Sequence, residues 1–319
     1  MISFTTDDIA PERRFDQWRE VRGKSLFGVT IELAAEKRLS FHGSFRAHAV
    51  GDAVASEMRA SSYRIKRTDT DIARISGNSL CIAHQVTGGG LLDTGRGRVD
   101  TIHDGDMVVS HSDLPYSGQP DGERGFLYRM LKIPIEGEIL LGRRADDLFA
   151  AKPIGGTWFL RPFRALFDAL MAPERTGSDP SRDVASVARL ALAARGRLPL
   201  GMPEVRAALR TGVRHAALEI MERDKRLPGL NPARVAMELG ISRRQFYVVL
   251  EEAGLTFSRT LAAMRVRDAR RLLVEIPSLS VTQVAFASGF DSLATFYRAF
   301  AATYGMTPSD MRGIGGRWQ

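Results

Sequence analysis

Two stretches about fifty residues apart hold side chains able to grip a polyanion or read the edge of a base. In ISRRQFYVVL, from Ile241, helical spacing puts Arg243, Arg244 and Tyr247 on one side; in DSLATFYRAF, from Asp291, it does the same for Leu293, Ala294, Tyr297 and Arg298. A guanidinium presents a planar fork of donors that fits a phosphate or the O6/N7 edge of guanine, and a phenol brings a ring and a hydroxyl. Arg298 suits bidentate guanine recognition. Arg243 and Arg244, in the first turn of their helix, suit phosphates and bases alike. Ser242 and Ser292 stand where N-terminal amides gather and are candidates for contact with the phosphate backbone.

The elements that must position these residues repeat. Val235, Ala236 and Gly240 return as Val284, Ala285 and Gly289 at an offset of 49. After one inserted residue, Asp291, the residues Ser242, Phe246 and Tyr247 return as Ser292, Phe296 and Tyr297 at an offset of 50. GLTFS from Gly254 returns as GMTPS from Gly305 at 51. Each unit, about 232–253 and 281–304, predicts a short helix, a glycine turn, a second helix and a stop. Gly240 and Gly289 permit positive φ at the turn, Ser242 and Asp291 or Ser292 can cap the second helix of each pair, and Gly254 and Gly305 end it. Phe246, Val249 and Leu250, and likewise Phe296, Ala299 and Phe300, form the opposite, core-facing side. Between the units SRTLAAMRVRDARRLLVE sets Leu261, Met264, Ala269, Leu272 and Leu273 at helical spacing. At ~1.5 Å per residue it makes a rod of roughly 27 Å, comparable with the ~34 Å turn of DNA. Arg265, Arg267, Arg270, Arg271 and, further on, Arg312 are phosphate candidates, and each reads equally well as a solvated helix face.

The rest of the chain is of another kind. From about Phe27 to Pro134 short β-rich segments such as FGVTIEL, SFRAHAV, SLCIAHQV and FLYRMLKI alternate with clusters such as TGGG and HDGD, which predicts a β-sandwich or barrel. A preceding amphipathic stretch has Phe15, Trp18 and Val21 at helical spacing. Helical periodicity returns in EILLGRRADDLFA, TWFLRPFRALFDALM and RDVASVARLALAARG, and RGRLPLGMP, from Arg195, is the interdomain break. The expected division is therefore 1–197, a linker at 198–212, and 213–319.

The 319 residues carry a net charge of +8, of which Gly201–Gln319, with 17 basic and 11 acidic residues, holds +6, so the excess lies where a polyanion would be met. Cys81 is the single cysteine, which excludes an internal disulfide and a four-thiolate zinc site. There is no apolar signal segment or membrane-length run, so a soluble, cytoplasmic protein without a membrane partner is expected. His42, His48, His84, His103 and His111 form no His-x-His pair and no carboxylate follows at a metal-enzyme spacing, so neither a metal, a cofactor nor catalysis is expected.

From about Val213 to Arg312 the chain resembles the DNA-binding domain of AraC/XylS transcriptional regulators, in RDARRLLVE, LSVTQVAFASGF, FYRAF and YGMTPSDMR. Phe15 to about Pro134 resembles their cupin-like effector-binding domain, through RGR before a strand, HDGDMVV and LPYS. The resemblance implies a multidomain α and β fold: a cupin-like β-barrel with appended helices, then an all-α domain with two helix-turn-helix units joined by a linker helix. It implies a bacterial, nucleoid-associated activator that responds to a small-molecule effector, forms a homodimer, binds double-stranded promoter DNA and meets RNA polymerase. Its base-reading positions fall on Arg244, Tyr247 and Val248, and on Leu293, Ala294, Tyr297 and Arg298. Val248 stands where the family often has arginine, and Leu293 and Ala294 replace residues more often polar. Val248 therefore meets a thymine methyl or reads nothing. Two other readings of the barrel are open: a cupin-type metalloenzyme domain, or a dimerisation unit that senses nothing. Arg46, Tyr128, Met130 and Trp158 are pocket candidates, each equally readable as core or surface packing.

Overall fold

A computed structural model describes residues 1–94, 99–135, 157–172 and 179–315. The chain divides into two compact units, Met1–Gly212 and Val213–Gln319.

In the first unit the strand-rich sequence makes two antiparallel sheets. Six strands, β1 (Ile2–Thr5), β3 (Gly43–Val50), β4 (Ala53–Ala60), β6 (Ser79–Thr87), β9 (Met107–His111) and β11 (Phe126–Pro134), pair in the order β1-β3-β4-β11-β6-β9. Five others, β2 (Thr30–Glu32), β5 (Arg64–Arg67), β7 (Gly90–Asp93), β8 (Val99–Ile102) and β10 (Tyr116–Pro120), pair in the order β2-β5-β10-β7-β8. Two short helices, α1 (Pro11–Trp18) and α2 (Asp69–Arg74), a π-helical segment, Arg19–Phe27, and a 3-10 turn, Ala35–Lys37, accompany the sheets.

The period of two along a strand decides what each face of the larger sheet meets. Leu80, Ile82, Leu131 and Ile133 join one apolar core with Phe163, Leu166, Val187 and Leu190 of two helices, α3 (Thr157–Met171) and α4 (Pro180–Ala194). The alternate residues Cys81, Ala83, Tyr128 and Met130 face a cavity whose other wall comes from the smaller sheet. A second core gathers Phe15, Trp18, Phe41, Phe45 and Tyr63. Gly43 is needed there because a Cβ would lie 2.6 Å from the Trp18 ring. The helix expected in EILLGRRADDLFA lies outside the described residues, as does the RGR that carried part of the resemblance. Of the expected linker, the part from Pro203 is helical: α5 runs Pro203–Asp224.

In the second unit the helices follow the repeat. α6 (Pro232–Leu239) and α7 (Arg243–Glu251) form the first pair, α9 (Val281–Ala287) and α10 (Leu293–Tyr304) the second, with α8 (Phe257–Glu275) between and α11 (Pro308–Gly315) after. α8 has 19 residues, about 28 Å at ~1.5 Å per residue. Val235 and Ala236, and their counterparts Val284 and Ala285, are all buried.

Candidate nucleic-acid interface and effector cavity

Each second helix is started by its own serine. The Ser242 side chain accepts from the Gln245 amide while Gln245 returns a bond to the Ser242 amide; Ser292 accepts from the Thr295 amide. Such caps contribute about 1 kcal/mol each. The same two hydroxyls are thereby engaged, so a phosphate would share them with the cap. Positive φ occurs at Gly240 (68°) and Gly289 (90°), the two turn glycines.

Burial on one face fixes the other. Phe246, Val249 and Leu250 are buried, which leaves Arg243, Arg244, Tyr247 and Val248 exposed on α7. Phe296 and Phe300 are buried, with Ala299 partly so, which leaves Ala294, Tyr297 and Arg298 exposed on α10. Leu293 is half-buried and packs on the core of its own unit. Only one edge of it is open to a partner. The exposed face of α7 thus carries two guanidiniums, and that of α10 one.

The candidate phosphate contacts separate by what already holds them. Arg265 is 9% exposed and donates to the carbonyls of Lys225 and Leu227 at 2.7 and 2.9 Å, with its guanidinium 5.9 Å from the Phe290 ring centre. Burial also lowers its pKa from the usual arginine value. It is an internal brace, and the phosphate reading is withdrawn for it. Arg312 donates to the Leu279 carbonyl at 2.5 Å. Arg271 bonds Asp268 at 2.8 Å, and Arg226 grips the same carboxylate at 2.6 and 3.0 Å. Burial works against ionisation of Asp268, yet the Arg226 and Arg271 guanidiniums outweigh it and hold the carboxyl below its ordinary value. Arg267, which faces Glu222 at 3.5 Å, and Arg270, beside the Tyr304 ring, remain exposed on α8.

In the first unit the space between the sheets is a cavity of about 240 Å³. Tyr128 and Met130 line it; Arg46 does not, because it points outward to Glu57 at 2.6 Å. Trp158 stands in the first turn of α3, and its side chain lies outside the described residues. Sequence reasoning missed Arg22, Tyr63 and Tyr116, which also line the cavity. Burial raises the pKa of Tyr63, Tyr116 and Tyr128, so all three phenols stay protonated at neutral pH. Cys81 is in the wall, and burial pushes its thiol up to about 11. The histidines are dispersed: His42 meets Asp7, His84 faces Asp168 at 3.7 Å, and His111 meets Asn78. Among the described residues no group of three His, Cys, Asp or Glu could hold a metal ion.

Over residues 235–313 the chain matches a helix-turn-helix domain family. The match begins within α6 and takes in α7, the rod α8 and the second helical pair. The C-terminal unit is an AraC-type helix-turn-helix domain. HTH-type transcriptional regulator GlxA of Rhizobium meliloti (strain 1021) is 36% identical over 153 residues, 44% of this chain and 44% of that protein. Transcriptional activator RhrA of the same strain is 37% identical over 75 residues, 23% of this chain and 24% of that one. The chain thus spans less than half the length of these curated relatives. The crystal structure of the AraC-like transcriptional activator CuxR aligns over 90% of this chain and 99% of its own, with 17% identity and a TM-score of 0.49. The AraC-type domain accounts for the repeat, and no helix among the described residues is long and apolar enough to cross a membrane.

Proposed function

We propose that the chain is a sequence-specific DNA-binding transcriptional regulator, an effector-responsive activator that sets α7 and α10 in successive major grooves of promoter DNA. The observation that carries this is the pair of serine-capped helices at equivalent places in a repeat, each turned outward by its buried phenylalanine face. Arg244, Tyr247 and Val248 read one groove; Ala294, Tyr297, Arg298 and the open edge of Leu293 read the next. Arg243, Arg267, Arg270 and the capped amides at Ser242 and Ser292 meet phosphates. Arg271 and Arg312 join them only by sharing their present partners.

The first unit serves as a sensor, and not as an enzyme, with a small molecule between its sheets. Effector binding alters how a homodimer presents its two DNA-binding units, and with them RNA polymerase, in the cytoplasm. A coupling of only ~1 to 3 kcal/mol is enough for such control. The similarity to proteins named as regulators supports this choice over catalysis.

Recovery of genomic DNA bound to the chain, followed by titration of the purified protein on a recovered duplex, tests the reading. Arg298→Ala is expected to lose ~1 to 3 kcal/mol of preference at one base pair with little change in salt dependence. Arg267→Ala is expected to weaken all duplexes alike and to lower the salt slope by about one phosphate. If the unaltered protein held its recovered duplex no better than scrambled DNA, the proposal would fail.

A further inference from the structure

The cavity of the first unit contains an unanswered charge. Arg22, in the π-helical segment, is 6% exposed and lines the space between the sheets. Its Nη1 has no hydrogen-bond partner. Its Nε reaches only the Met58 sulfur, at 3.0 Å, and its guanidinium lies 5.0 Å from the Phe27 ring centre and 5.9 Å from that of Tyr63. These are soft partners. Among the described residues no carboxylate pairs with it, and the cavity lining contains no Asp or Glu. Arginine cannot shed its proton to escape such a place.

The other cation deep in the wall is accounted for. Arg67 donates to the carbonyls of Ser112, Phe27, Gly28 and Ile75 at 2.6 to 2.8 Å. It ties three segments to its own strand, and with its Nη2 also 3.5 Å from the Asp113 carboxylate it has no donor to spare for a ligand. Lys132 adds further positive charge to the lining. Tyr128, by contrast, donates only to the Met130 sulfur at 3.5 Å, a weak acceptor that a stronger one would displace.

We propose that the cavity takes a small carboxylate with an apolar, ring-sized body, whose anion is gripped by the Arg22 guanidinium. This deepens the regulator reading and rests on it, because it names the class of effector. The carboxylate supplies the acceptors that Nη1 lacks, and burial of the pair makes the bond strong. The body lies against Phe27, Phe126 and Met130. At about 240 Å³ the space exceeds the ~150 Å³ that takes up benzene by room for a short substituted chain.

Thermal melting of the full-length protein tests this with matched pairs: benzoate, phenylacetate, 3-phenylpropionate and hexanoate, each beside its amide and its amine. At least one acid is expected to raise the melting midpoint and to titrate about tenfold or more tighter than its amide. Arg22→Met is expected to melt no lower than the unaltered protein, since a buried charge without a partner is removed, and to lose the preference for acid over amide. Amides or amines binding as well as the acids would overturn the proposal, and so would the absence of a shift with every acid. Retained preference in Arg22→Met would overturn it too. If that variant does not fold, the acid and amide comparison in the unaltered protein decides alone. DNA binding measured without any of these compounds separates the two readings. Its loss brings down the regulator, whereas neutral binding with intact DNA recognition brings down only the anion.

Discussion

Arg265 and Arg244 carry the same guanidinium on helices joined by one short loop, yet only Arg244 is turned to solvent. Arg265 satisfies two carbonyls just beyond the end of α5 and lies beside Phe290. Arg265→Met should therefore cost about 1.5 to 3 kcal/mol of stability, read by denaturant melts, and leave the salt slope of DNA binding unchanged. Arg244→Ala should do the reverse, keeping stability within about 0.5 kcal/mol and weakening the DNA complex. In RVRDARRLL nothing in the spacing told Arg265 from its neighbours, because the carbonyls that claim it belong to a loop some forty residues earlier. Arg22 was missed although the sequence carries a signal for it. It falls seven residues after Phe15 and four after Trp18, on the stripe that both bury, and a charge on a buried stripe is itself a signal.

The two turn glycines look interchangeable in the repeat, and the structure separates them. A Cβ on Gly240 would meet open space, whereas one on Gly289 would lie 2.4 Å from the Lys225 carbonyl oxygen. Gly240→Ala should cost only the ~1 kcal/mol of a positive φ. Gly289→Ala should cost at least about 3 kcal/mol, since the backbone there has to move. Chemical denaturation of the two variants side by side checks the difference. The helical pairs themselves were plain in the sequence, as the serine caps and the periodicity agree at the start of each second helix. The strands were harder to orient. On β11, Leu131 and Ile133 meet helices while Tyr128 and Met130 meet the cavity, and with both faces covered the polar alternation that reveals register is missing. The same lack of pattern left Arg46 and Tyr128 indistinguishable as pocket candidates.

Across the molecule the depressed carboxyls act in one direction. Burial of Asp113 opposes its charge, but the Gly77 and Asn78 amides and the Ser76 and Ser112 hydroxyls hold it well below the carboxylate range. Glu57 is opposed by burial and lowered by Arg129 and Arg46, and Asp268 is opposed by burial and lowered by Arg226 and Arg271. A folded pKa below the unfolded one gives stability that is complete above the unfolded value and is lost as pH falls through the folded one. Burial also lowers the pKa of His111, whose neutral form is therefore favoured by folding, so its share begins to decline below about pH 6.5. Melting midpoints should be nearly level between about pH 7 and 8, slip slightly near 6, fall steeply below about 4, and fall again above about 8.5 to 10, where unfolding frees the Cys81 thiol and the buried Tyr63, Tyr116 and Tyr128 phenols to ionise. Asp113→Asn should flatten the acid limb of the first unit and leave that of the second, which contains Asp268, unchanged. Scanning calorimetry across the pH range reads both.

The lone cysteine makes the first unit a clock. Cys81 sits in the cavity wall with a thiol raised to about 11, so at neutral pH it is nearly all thiol and slow toward alkylating reagents. A reagent small enough to enter reports, through its rate, how often the sheets admit it. Because no second thiol exists in the chain, that rate needs no deconvolution. An occupant of the cavity would lengthen the tick without any change in the DNA-binding unit.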